Sequence, residues 1–114
     1  MIGQPRRVSV TATCLQGCRP SPSSFQVPPG VLAKGFAIRS LTAGRACSGS
    51  SEQVKGFSIR RGDQTVLVFY LGPAGPVSDP LPIEDLELAA GAYQLYAAPA
   101  SGASVTLTYS LVTQ

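Results

Sequence analysis

Four carboxylates crowd into nine residues of this chain: Asp79, Glu84, Asp85 and Glu87. Oxygen donors spaced so closely can hold Ca²⁺, and a pair facing each other across a cleft can hydrolyse a glycosidic bond. Neither chemistry fits well. The acids do not follow the EF-hand order, Pro80 and Pro82 interrupt them, and a chain of 114 residues seldom builds a sugar-cleaving cleft. A solvated acidic rim is the simpler expectation. Three thiols, Cys14, Cys18 and Cys47, form the second candidate group. An odd count excludes complete internal pairing but leaves a Cys14–Cys18 clip, a bridge from either to Cys47, or three free thiols. No CxxC pair occurs, so no zinc site is expected. The chain has no histidine, which removes the usual general base and the Ser-His and Cys-His nucleophile pairs. Neither GxSxG nor a phosphate-binding glycine loop is present. The expectation is therefore a protein that is not an enzyme and has no catalytic residues, metal or cofactor.

The basic residues are better organised. Lys34-Gly35-Phe36-Ala37-Ile38-Arg39 recurs 21 residues later as Lys55-Gly56-Phe57-Ser58-Ile59-Arg60. Two copies of six residues do not make a solenoid. They predict two strands in equivalent settings, with Phe and Ile in the core and Arg outside. If those strands are neighbours, Lys34, Arg39, Lys55, Arg60 and Arg61 form one basic strip. The Lys-Gly-Phe stretch resembles part of the RNP1 motif of RRM and cold-shock domains, whose strand aromatics stack on bases. That resemblance implies single-stranded nucleic-acid binding. It departs at Ile38 and Ile59, where RNP1 prefers an aromatic, and the chain lacks the helices of an RRM. Tyr70, Tyr93, Tyr96 and Tyr109 suggest carbohydrate stacking as a further class. Arg61-Gly62-Asp63 spells the tripeptide that integrins read, but it sits where a strand must turn, and Gly-Asp is ordinary turn chemistry.

The elements that must carry these residues are strands. Residues 103–112 alternate Val105, Leu107, Tyr109 and Leu111 with Ser104, Thr106, Thr108 and Ser110, the period of a half-buried strand. Residues 7–13 alternate in the same way. Further strands are read at 25–27, 35–41, 55–61, 65–71 and 92–97. Residues 83–88 fit a short strand or one helical turn. The 65–71 segment is apolar on both faces and reads as a central strand. Residues 15–24, 42–53 and 72–82 read as loops, the second of them long and mobile. No apolar period of 3.6 persists over three turns, so no substantial helix is expected. The predicted fold is one all-β domain over residues 1–114, a sandwich of seven to eight short antiparallel strands. It is jelly-roll or immunoglobulin-like, with a lean to the jelly roll and a Greek-key barrel as alternative. The predicted core is Phe36, Ile38, Phe57, Ile59, Val66, Val68, Tyr93, Leu95, Val105, Leu107, Tyr109 and Leu111.

Charge points to assembly. Charged residues make up 13% of the chain, about half the usual share. All nine basic residues precede Gly62, with a single acid among them, and the other five acids follow it. That split suits either neutralisation within one domain or a bipolar surface that joins copies. Residues 88–114 are uncharged but too polar for a membrane span. The last strand, with Thr106 and Thr108 on its polar face, is expected at a sheet edge open to a neighbouring chain. Small β-sandwiches with these traits resemble the cement or decoration proteins of tailed-phage capsids. The resemblance implies a non-enzymatic structural subunit whose partners are copies of itself or a capsid shell. A pilus or extracellular-filament subunit is the alternative. The expected interface comprises Lys34, Arg39, Lys55, Arg60, Arg61, Asp79, Glu84, Asp85, Glu87, Thr106 and Thr108. Residues 1–7 show no apolar signal core, so a virion or cytoplasmic location is expected, or an extracellular one if Met1 replaces a removed signal.

Overall fold

A computed structural model of the chain describes residues 6–47, 53–71 and 81–113. The strands in chain order are β1 (Arg6–Leu15), β2 (Arg19–Ser21), β3 (Ser23–Val27), β4 (Val31–Thr42), β5 (Gly44–Ala46) and β6 (Gln53–Arg61). They continue as β7 (Gln64–Leu71), β8 (Leu81–Pro82), β9 (Gly91–Ala97), β10 (Ala100–Ser101) and β11 (Ser104–Thr113). No helix occurs among the described residues, and none is long and apolar enough to cross a membrane.

Two antiparallel sheets pack face to face. The first runs β2-β1-β11-β4-β8. The second has β7, β6, β9 and β3 side by side, with β5 and β10 attached beyond. The pairings nest: β1 with β11, β3 with β9, β4 with β8, and β6 with β7. A long hairpin folded over on itself makes those four pairs, and that is the jelly roll. The three remaining strands, β2, β5 and β10, are pieces of two or three residues that decorate one end.

The core lies between the inner faces. Val105, Leu107 and Tyr109 of β11 meet Phe57, Ile59, Tyr93 and Leu95 of the second sheet, all buried. A ladder of rings crosses the interface: Tyr93 stacks on Phe25 at 5.5 Å, Phe25 lies 5.5 Å from Tyr109, and Tyr109 stacks on Phe36 at 5.0 Å. Strand β4 is bent by a bulge that sets Gly35 and Phe36 against Tyr109 alone. Gly35 adopts φ +68 there, a conformation that favours glycine.

Several expectations change. Strand β7 pairs only with β6 among the described residues, so it lies at an edge, not in the centre. Its faces are also inverted. Phe57 is directly opposite Phe69, so Phe69 and its alternate Leu67 turn to the core, while Val66 and Val68 are exposed. Leu111 packs on the core but is only partly buried. Strand β11 is flanked on both sides, by β1 and β4, and is central where an edge was expected. Residues 84–85 form a turn, and the segment before β9 makes a single bridge, Leu88 to Ala33. The 42–53 segment contains β5, and residues 48–52 and 72–80 lie outside the described ones. Of the open cysteine pairings, Cys18–Cys47 is formed, and Cys14 is a buried free thiol.

Candidate functional site

The jelly-roll connection sends β4 and β6 to different sheets. Lys34 and Arg39 therefore sit on one sheet, and Lys55, Arg60 and Arg61 on the other, so the two Lys-Gly-Phe copies do not form one strip. The equivalence of their apolar residues does hold. Phe36 and Ile38 line the inner face of the first sheet, Phe57 and Ile59 that of the second, all at 0–1% exposure.

The acidic segment between β8 and β9 lies alongside basic residues. Glu84, Asp85 and Glu87 share a hollow of about 420 Å³ with Lys34. Glu87 also lines a second hollow with Arg61 and Val66. Asp85 sits at φ +62 in this turn, a conformation that Asp tolerates. Acids from the second half of the sequence thus stand beside bases from the first. Asp79 lies outside the described residues.

Both arginines at the end of β6 lie over rings of β9. The Arg60 guanidinium is 5.8 Å from the centre of the Tyr96 ring, and that of Arg61 is 5.7 Å from the centre of Tyr93. Arg61 Nη2 donates to the Ala90 carbonyl at 3.4 Å. A Cβ on Gly91 would stand 3.1 Å from Arg61 Cζ, so the bare glycine backbone leaves room for the arm. Tyr93 itself donates to the Ala89 carbonyl at 2.7 Å, and Tyr93 and Tyr109 are buried away from any sugar ring. Thr106 pairs across the sheet with Thr11, their hydroxyls 2.9 Å apart, and Thr108 is buried between β1 and β4.

The feature that sequence reasoning missed is the outer side of β7. Its residues 64–71 contain no charge and no proline. Val66 and Val68 are 38% and 52% exposed, two of three large hydrophobics so placed among the described residues. The signal is a strand apolar on both faces, a pattern that fits an exposed edge as well as a buried centre. Long, flat apolar edges are usually guarded by Lys, Pro or bulges. Here the only such device in β7 is the register shift opposite Ile59 and Arg60, which leaves Val66 unmatched. Among the described residues no group of three or more His, Cys, Asp or Glu is placed to hold a metal ion. Comparison with protein-family models, with curated proteins and with solved structures gives no match.

Proposed function

We propose that this jelly roll is a non-enzymatic structural subunit that joins copies of itself through β7, in the manner of a capsid decoration or filament protein. The observation that carries the reading is an uncharged edge strand with two outward valines. Two β7 strands can pair antiparallel about a twofold axis, each supplying the hydrogen-bonding groups the other needs. Pairing of this kind sets orientation through the backbone, while the valines supply apolar burial. The interleaving of Glu84, Asp85 and Glu87 with Lys34 and Arg61 favours neutralisation within the domain over a bipolar surface. The Cys18–Cys47 disulfide favours an oxidising location such as a virion exterior or the extracellular space. A larger shell offering its own strand edge is the other partner of the same chemistry.

Sedimentation velocity on wild type and Val68→Lys tests this, at about 100 µM, where a micromolar association is populated. Wild type sediments as a dimer or larger, and Val68→Lys as a monomer. Raising NaCl from about 50 to 500 mM has little effect, because the strand carries no charge to screen. A wild-type monomer under both salt conditions refutes self-association.

A further inference from the structure

A cleft at one end of the second sheet has the make-up of a small-molecule site. Its floor is the outer face of β6 and β9, where Ser58 stands opposite Tyr96 and Arg60 opposite Gln94. Tyr96 donates its hydroxyl to Gln94 Oε1 at 3.0 Å, which holds the ring beneath the Arg60 guanidinium. One wall is the turn after β1 together with the end of β5, tied by the Cys18–Cys47 disulfide. Pro20 and Pro99 also border it, and the half-open space is about 390 Å³, within the range of ligand cavities.

The electrostatics of the cleft are one-sided. Among the described residues Arg60 is the single charged side chain that lines it, and no carboxylate does. Arg60 Nε is buried and has no hydrogen-bond partner among the described residues. A cation so placed gains from an anion brought to it. The remaining surroundings select which anion. The Ser58 hydroxyl, the weakly donating Cys14 thiol, the Tyr96 ring whose hydroxyl is already given to Gln94, two prolines and a disulfide offer few further donors, whereas phosphate takes many. A planar carboxylate matches the guanidinium fork, and a flat apolar body suits Tyr96 and the prolines.

We propose that this cleft binds a small carboxylic acid with a flat apolar body, its carboxylate on Arg60 and its body on Tyr96. The site stands independently of assembly through β7. Sodium benzoate titrated into the ¹⁵N-labelled chain is the direct probe, and a ligand of that size is expected to bind at about 1 mM. Saturable shifts are expected at the amides of 58–60 and 96–98. Arg60→Gln should weaken binding about tenfold or more, Tyr96→Leu should weaken it less, and Arg60→Lys should retain part of it. Both Arg60 variants change a residue outside the core, so an unchanged amide spectrum elsewhere separates loss of binding from loss of fold. Inorganic phosphate at the same concentration should shift these amides far less. The proposal is overturned by non-saturating shifts at about 20 mM benzoate, by equal affinity in Arg60→Gln, or by phosphate binding as tightly as benzoate.

Discussion

Replacing Phe69 and Val68 in turn by alanine tests the inverted face of β7. The sequence pattern allows either residue to face the core, and the register with β6 decides for Phe69. Its ring centre lies 5.3 Å from that of Phe57, with the planes 24° apart, and Phe57 is fully buried. A fully buried Phe cut to Ala costs about 3–5 kcal/mol. Phe69 is only partly buried, so its burial component is scaled down. The ring pair contributes a further 0.5–1.5 kcal/mol or so. The net expectation for Phe69→Ala is a loss of about 2–4 kcal/mol. Val68 is 52% exposed and opposite Ser58 on the outer face. Val68→Ala should cost less than about 1 kcal/mol. Urea denaturation followed by circular dichroism, at a protein concentration low enough to keep the chain monomeric, measures both. The slope with denaturant should be unchanged, so the midpoints report stability alone. A Val68→Ala loss equal to or above that of Phe69→Ala would refute the assigned face and remove the exposed valines on which assembly rests.

Gly44→Ala should lower stability by about 3 kcal/mol, because its Cβ would stand 2.6 Å from backbone atoms of Ala100, Ser101 and Ala103. Gly62→Ala, with open space but φ +60, should cost only about 1 kcal/mol; equal melting temperatures for the two variants would count against the close approach at Gly44. Burial raises the Tyr109 phenol above its ordinary value of 10.0, so the fold holds it neutral while the unfolded chain ionises. Its contribution is fully present below pH of about 10 and is lost as pH rises through the folded value. Tyr109→Phe should therefore flatten part of the fall in stability between about pH 9 and 11, and an unchanged slope would show that Tyr109 plays no part in it.

The amino-acid sequence by itself determined what is local. The alternation of Val8, Val10 and Ala12 with Ser9, Thr11 and Thr13, and the matching run in β11, specify strands with one wet face, because the side-chain period of a strand is two. The repeated Phe and Ile of the two Lys-Gly-Phe segments were legible as core for the same reason. Of the candidate site, Arg60 was legible as an outward residue of a strand, and Arg61 as a basic residue at its end. Their rings, Tyr96 and Tyr93, were not, since β6 meets β9 only through long-range pairing. The tertiary structure alone decided which strands lie at the edge. Strand β11 has the pattern of a half-buried strand whether it has one neighbour or two, and it has two. Strand β7 is apolar on both faces whether it is buried or left open, and among the described residues its pairing leaves it open. It also chose Cys47 over Cys14 as the partner of Cys18, and set Lys34 beside Glu84, Asp85 and Glu87. In a jelly roll, successive strands cross from sheet to sheet. Neighbours in space are therefore distant in sequence, and a pattern read along the chain carries a strand's period but not its partners.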